Sequence, residues 1–448
     1  MSSETSLRPG KTLVLGLQHM FAMFGATVLV PLLTGMDVGT TLLFAGLGTL
    51  LFHIITGFQV PAFLGSSFAF LGGYAAVAPK LANGAPNTEM LPYACAGVAV
   101  AGLFYLVVSA LIRTFGIKKV MRFFPPIVTG PIIIAIGLIL APTAVNSCKG
   151  NWALAAIALG TIIICNIWGK GMIKIIPILI GIIVSYVVAI FMGEIDFTLV
   201  REAAWFGIPV HKSAMIFGNV PDHGKLASAI IAIAPIALAT MMEHIGDISA
   251  ISSTVGKDFI SKPGLHRTLL GDGLATTCAA LFGAPANTTY GENTGVLALT
   301  KVYNPLVIRV AAGFAILLSF CPKFAAIIHT IPAPIVGGIS FMLYGMISAI
   351  GIRNLVENQI DFSKSRNLII AAVILVAAIG GVTVKLPNTT ASLTPLAIAS
   401  ILGIILNMIF PSGDYATRAK DNEPPKGNTF EVGGLFKKNA SKDASQKA

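Results

Sequence analysis

Four of the 19 acidic residues in this 448-residue chain stand inside long apolar runs: Glu243, Asp247, Asp272 and Glu292. A carboxylate surrounded by hydrocarbon is expensive, so each is a functional candidate by default. Glu243 and Asp247 lie one helical turn apart and share a face. Such a pair suits two tasks: accepting hydrogen bonds from the N–H edge of a ligand, and holding one exchangeable proton as a coupled unit. Glu292 opens an apolar run behind Pro285-Ala-Asn-Thr-Thr-Tyr-Gly291. Asp272, in Gly271-Asp272-Gly273, is near a run's end, where bonding the backbone of a broken helix is as good a reading as ligand contact. His19 and His244 read as packing or hydrogen-bonding residues, and His53 and His329, near run ends, as interfacial. No Arg or Lys lies deep in these runs, so an anion is not the expected cargo. Carboxylates beside unpaired backbone N–H groups match a small, neutral, planar heterocycle with alternating N–H and C=O edges, walled by Phe68 and Tyr290. No His/Cys/Asp/Glu group has metal-ligand spacing, and neither a metal nor a cofactor is expected.

Holding these groups in place requires elements built for lipid. The chain is 55% hydrophobic and 11% charged, with mean hydropathy +0.83. A soluble chain carries roughly 25% charged residues, and this one cannot cover a watery surface. That excludes a cytosolic enzyme, a secreted domain and a nucleic-acid binder. Spans of about 20 apolar residues are expected near 12–33, 39–58, 60–78, 92–112, 120–141, 152–168, 173–193, 226–249, 267–283, 285–300, 303–321, 334–352, 367–384 and 392–411. The first is read as a retained span and not a signal peptide, being long and carrying Gln18-His19 in its middle. With both termini inside, 23 of the 30 Lys and Arg fall in inner loops and tail and 7 in outer loops, the asymmetry that fixes orientation. The +11 charge is then a topology signal plus attraction to an anionic inner leaflet. The five cysteines form no framework; Cys95, Cys165 and Cys278 read as small core residues. The loop 194–225, with Trp205 and Phe206, is expected at the interface, and residues from about 412 as a polar tail.

An internal repeat is legible. Gln18-His19 and Glu243-His244 correspond, as do Pro61-Ala-Phe-Leu-Gly-Ser-Ser-Phe68 and Pro285-Ala-Asn-Thr-Thr-Tyr-Gly-Glu292. His19 to Pro61 is 42 residues and His244 to Pro285 is 41. Fourteen spans divide into seven and seven, and an odd number per repeat inserts the halves in opposite orientation, a pattern of secondary transporters. Each Pro-led stretch reads as a short strand entering a half-helix. Irregular backbone at membrane depth must pair or line a cavity. Two such strands pairing with each other aim two half-helix N-termini at one site.

The run Glu292-Asn293-Thr294-Gly295-Val-Leu-Ala-Leu-Thr300-Lys301 resembles the signature of the nucleobase–ascorbate (uracil–xanthine) permease family. Gln18-His19, Gly65-Ser66-Ser67-Phe68, Glu243-His244-Ile-Gly-Asp247 and Gly271-Asp272-Gly273 resemble its other blocks, over about residues 10–411. The resemblance implies an all-α polytopic membrane protein of fourteen segments in two inverted repeats. It implies a core domain (1–115 and 226–325), a gate domain (116–225 and 326–411), a cytoplasmic tail (412–448) and a homodimer in the cytoplasmic membrane. Phe68, Glu243, Gly291 and Glu292 would hold the base, with proton coupling through Asp247 and Glu243. Gln18, His19, Ser67, His244, Asp272, Tyr290 and Asn293 would support them. Glu at the first signature position resembles the uracil branch, since an ionised carboxylate accepts from both uracil N–H groups. Some uracil carriers have His where Asp247 stands. The rival readings are a xanthine or broader nucleobase carrier, an anion transporter of the same fold, and an intramembrane aspartyl protease using Asp247 and Asp272. An anion carrier would place a basic residue where Phe68 and Glu292 stand, and a protease gives no reason for the repeat.

Overall fold

The computed structural model describes residues 9–81, 85–385 and 392–411. Proline at the first helical positions, where its missing N–H costs nothing, starts many of the helices. Capping side chains start others, as where Asp37 accepts the Thr40 N–H at 2.6 Å. Left-handed residues stop them, as at Gly256 (φ 72°).

The first half runs α1 (Pro9–Thr34), α2 (Val38–Ile55), strand β1 (Leu64–Ser66), a 3-10 turn (Phe68–Phe70), α3 (Leu71–Val77), α4 (Leu91–Phe115), α5 (Ile117–Met121), α6 (Pro126–Cys148), α7 (Trp152–Trp168), α8 (Met172–Ile175) and α9 (Pro177–Phe191). After α10 (Thr198–Glu202) come α11 (His223–Ile233), α12 (Ala237–Val255), α13 (Leu265–Leu281), β2 (Asn287–Thr289) and α14 (Gly291–Thr300). The chain continues through α15 (Pro305–Ser319), α16 (Pro322–His329), α17 (Ala333–Glu357), α18 (Ser365–Ile379), the short strands β3 (Val384–Lys385) and β4 (Ser392–Leu393), and α19 (Pro395–Ile409).

Among the described residues, six helical stretches are long and apolar enough to cross a bilayer: α1, α2, α4, α6, the continuous α11–α12 stretch and α17. The α15–α16 pair, bent by 86°, makes a seventh if it is one span. Five further apolar helices, Phe68–Val77 and α7, α9, α18 and α19, are shorter. Every apolar run read from the sequence holds a helix, but several boundaries differ. The run at 120–141 is split: α5 ends at Met121 and α6 extends from Pro126 to Cys148. Beyond 303–321 the bent α16 adds an element that hydropathy did not separate. The tail from 412 lies outside the described residues.

The most extensive helix packing forms two sets within one compact unit. α13 lies against α4 and α2, and α15 against α2 and α1; α17 lies against α6 and α7, and α18 against α6 and α19. The tightest crossings rest on glycine. A Cβ on Gly102 of α4 would stand 2.7 Å from the Gly273 oxygen of α13, and one on Gly273 the same distance from the Gly102 oxygen. Gly130 of α6 and Gly351 of α17 make a similar crossing. Small residues let backbones approach where lipid supplies no hydrophobic drive between helices.

At the centre of the first set β1 and β2 pair antiparallel, with Leu64 opposite Thr289, Gly65 opposite Thr288 and Ser66 opposite Asn287. The ladder continues past both ends, Ser67 N–H donating to the Ala286 carbonyl and Tyr290 N–H to the Phe63 carbonyl, each at 2.9 Å. Trp205 and Phe206 are about three-quarters exposed (75% and 74%). Phe206 stacks on Phe320. Cys95 and Cys165 are buried and Cys278 half-buried, all as free thiols.

Candidate functional site

A two-stranded ribbon leaves both outer edges unpaired, which is costly away from water. Helix threonines satisfy these edges. Thr49 of α2 accepts the Leu64 N–H at 2.9 Å, and its hydroxyl lies 3.2 Å from the Leu64 carbonyl oxygen. Thr276 of α13 donates to the Asn287 carbonyl at 2.8 Å. Asn287 reaches back through Nδ2 to the Phe44 carbonyl (2.7 Å), and Tyr74 OH accepts the Ala286 N–H (3.1 Å). His53 belongs to this framework and not to the membrane interface expected of it. It is fully buried, with Nε2 2.9 Å from the Ala62 oxygen. A carbonyl only accepts, so that nitrogen carries the proton. The extended chain leading into β1 needs this donor, which draws His53 into the protein interior.

Tyr290 is occupied in the same way. Its ring lies over Gly65, where a Cβ would come within 2.6 Å of two ring carbons and 2.7 Å of the hydroxyl oxygen. Its hydroxyl donates to the Ser66 carbonyl at 2.9 Å, with Thr27 Oγ1 3.1 Å away. Asn293, on the first turn of α14, donates through Nδ2 to the His19 carbonyl and stands 3.2 Å from His19 Nδ1, tying α14 to α1.

The carboxylates divide by partner. Thr289 Oγ1 donates to Asp247 Oδ2 at 3.0 Å and lies 3.2 Å from His244 Nδ1. His244 Nδ1 is in turn 3.0 Å from Asp272 Oδ2, both side chains fully buried. Asp247, Thr289, His244 and Asp272 therefore form one polar chain along β2. Gly291 packs against Asp247, its absent Cβ falling 3.3 Å from Oδ1.

Glu243 and Glu292 are different. The side chain of Glu243 makes no hydrogen bond among the described residues, and its Oε2 is buried and unpaired. Glu292, second residue of α14, meets no donor but its own backbone amide. The two lie within Coulombic reach of each other. Ser67 Oγ and Thr294 Oγ1 are also buried without partners, and the side chain of Gln18, 5% exposed, makes no hydrogen bond among the described residues. Phe68 opens the 3-10 turn behind β1, and its ring meets Tyr344 of α17 edge-on at 5.7 Å. A cavity of about 90 Å³ ends at Phe68, between α3, α6 and α19.

Of the residues grouped by the sequence, Phe68 follows β1 at one end of the strand pair and Gly291 and Glu292 follow β2 at the other, while Glu243 comes from α12. The sequence reading missed Thr49, Thr276, Thr27, Tyr74 and His53, whose work is to hold that pair. The signal available for the threonines was their place in the helices that precede the two Pro-led stretches.

Apolar helices crossing in tight pairs around a strand pair, with unpaired acceptors beside it, define a multi-pass membrane protein built around an internal polar site. Residues 10–386 match the Xan_ur_permease family model, described as "Permease family". The uracil permease of Bacillus caldolyticus is 44% identical over 416 residues, covering 91% of this chain and 94% of the relative. That of Bacillus subtilis (strain 168) is 42% identical over 408 residues, covering 88% and 91%. The putative pyrimidine permease RutG of Escherichia coli (strain K12) is 39% identical over 409 residues, covering 89% of each chain. The chain belongs to this permease family, and is a permease rather than an enzyme. Among solved structures, the transmembrane domain of the cyanobacterial bicarbonate transporter BicA superposes with TM-score 0.64 at 15% identity, covering 89% of this chain and 96% of that one. SLC26A9 superposes with TM-score 0.62 at 10% identity, covering 89% and 64%. These two share the fold.

Proposed function

We propose that the protein imports uracil across the cytoplasmic membrane by proton symport with alternating access. The observation that carries this reading is the contrast among the buried acids. Asp247 accepts from Thr289 and Asp272 Oδ2 lies 3.0 Å from His244 Nδ1, whereas the side chains of Glu243 and Glu292, within Coulombic reach of each other, meet no side-chain donor. A planar ring with two N–H donors supplies what those acceptors lack, and an N-terminal amide of α14 at Gly291 and one behind β1 at Phe68 supply donors for its carbonyls. Phe68 provides an apolar wall. The uracil permeases at 42–44% identity support uracil over a wider purine range. The likeness to bicarbonate and SLC26 carriers does not favour an anion, because Phe68 and Glu292 occupy the places where a cation would be needed.

In this reading the chain has fourteen segments in two inverted repeats, with both termini cytoplasmic. The strand pair lies on the pseudo-symmetry axis. Segments 1–4 and 8–11 form the core and segments 5–7 and 12–14 the gate, as the two packing sets suggest, and two copies form a homodimer. The proton is carried by Asp247 with Glu243. Binding one proton lowers the charge to be occluded, so that the loaded carrier moves.

Uptake of labelled uracil into proteoliposomes, competed by xanthine, adenine and thymine, tests the substrate. Asp247→Asn tests the coupling. It is expected to bind and exchange uracil but not to accumulate it in response to an inward proton gradient. Gradient-driven accumulation by Asp247→Asn would remove Asp247 from the proton path.

A further inference from the structure

Away from the central site, a cavity of about 430 Å³ opens where the last turns of α2 and α4 meet the first turns of α13. Ile54 and Ile55 come from α2, Arg113 from α4, and His266, Arg267 and Leu270 from α13. Ser109 Oγ donates to the His266 carbonyl at 2.5 Å, fixing α13 against α4 beneath the cavity. Neither Arg113 nor Arg267 has a hydrogen-bond or ion-pair partner among the described residues. Arg267 leans toward the turn after α2, 3.9 Å from where a Gly57 Cβ would be, and Arg309 covers Phe58 in the same turn at 4.8 Å. Two free guanidiniums and an imidazole therefore converge where two spanning helices end.

The walls have a second character. Ile54 is 61% exposed, and on the same face of α2, two turns deeper, Leu47 is 41% exposed. On α4, Val107, nearly two turns below Arg113, is 55% exposed. A basic mouth with exposed apolar side chains on the two helices that flank α13 fits an amphiphile with a phosphate head and acyl chains. Guanidinium forks match phosphate oxygens in pairs, and basic pockets between spanning helices suit anionic headgroups.

We propose that this cavity is a binding site for one anionic phospholipid, its phosphodiester held by Arg113 and Arg267 and its chains lying along Leu47, Ile54 and Val107. The site is independent of which cargo the carrier moves.

The test uses the full-length protein in nanodiscs of phosphatidylcholine with and without phosphatidylglycerol, and reads phosphatidylglycerol retained by native mass spectrometry. At about fivefold per basic residue, Arg113→Gln with Arg267→Gln weakens retention roughly 25-fold. Arg113→Lys with Arg267→Lys keeps most of it. Ile54→Trp, which fills the cavity and leaves every charge in place, also loses the lipid and stands as the second variant should the glutamine pair fold poorly. Lys118→Gln with Lys119→Gln, on nearby α5, retains it. Wild-type retention in both the glutamine pair and Ile54→Trp would overturn the site. So would an equal loss on changing Lys118 and Lys119, which would show general surface charge. Displacement of the lipid by inorganic phosphate alone would overturn the phospholipid in favour of a free anion.

Discussion

Replacing Gly65 by alanine presses on the one point where the strand pair cannot give. The added Cβ would stand 2.6–2.7 Å from three atoms of Tyr290, ring carbons and hydroxyl. A flexible neighbour would swing aside, but Tyr290 is buried and its hydroxyl is held by Ser66 and Thr27. The backbone is equally fixed, because β1 is bonded on one edge by β2 and on the other by Thr49. Either the ring leaves its hydrogen bonds or the strands part. Overpacking of a well-ordered core costs about 1–3 kcal/mol, and one buried hydrogen bond lost adds about 1 kcal/mol. Gly65→Ala is therefore expected to lower stability by roughly 2–4 kcal/mol. Gly295→Ala is the control: it lies within α14 with nothing within 4 Å of its Cβ, and alanine there should stabilise slightly. The assay is thermal unfolding of the purified proteins in one detergent, followed by uracil binding to the folded fraction. Gly65→Ala should unfold at a lower temperature than wild type and bind more weakly, since Phe68 and Gly291 hang from the displaced strands. Unfolding at or above the Gly295→Ala temperature would refute the claim that the ribbon and Tyr290 form one rigid unit.

Thr49→Val keeps the shape of Thr49 but removes the acceptor for the buried Leu64 N–H, and is expected to cost about 1–3 kcal/mol; an unchanged unfolding temperature would show that the β1 edge is satisfied otherwise. For topology, Lys149→Cys and Lys212→Cys should react with an impermeant thiol reagent outside sealed cells and Lys118→Cys should not; labelling of Lys118→Cys would reverse the orientation. At the start of α11, the amides of Lys225 and Gly224 hold the Asp222 carboxyl below its ordinary value. Its capping contribution is thus full above the ordinary carboxylate range and is lost as pH falls through the lowered value. Amide exchange at Lys225 should quicken there, and an identical pH profile in Asp222→Asn would contradict the cap.

The framework of the site was legible where the chain announces itself by punctuation. Pro61 and Pro285 interrupt apolar runs, and the backbone behind each had to find partners at membrane depth, so the strand pair could be anticipated before any fold was in view. The carboxylates were legible because Glu243 and Glu292 are costly in such surroundings. What could not be read is which acids meet a partner within the protein. Asp247 and Asp272 look like Glu243 in composition, and only the approach of Thr289 and His244 across the fold separates them. His53 was misplaced for a related reason. Position along a run reports depth in the membrane, but its burial is set by the Ala62 carbonyl on a neighbouring segment. Thr49 and Thr276 are marked only by standing in the helices before the two Pro-led stretches, since a helix threonine that bonds a strand edge has the same immediate neighbours as one that bonds its own helix. The bend between α15 and α16 escaped because Cys321 and Pro322 interrupt hydropathy only briefly.

The central claim is that Glu243 and Glu292, unpaired in the protein, are paired by the cargo. Equilibrium binding of labelled uracil to purified wild-type protein, Glu243→Gln and Glu292→Gln measures this directly. Losing a hydrogen bond to a charged acceptor costs about 1.5–3 kcal/mol, so each variant should bind roughly ten- to a hundredfold more weakly while remaining folded. Unchanged affinity in both folded variants would contradict the account and move the site elsewhere.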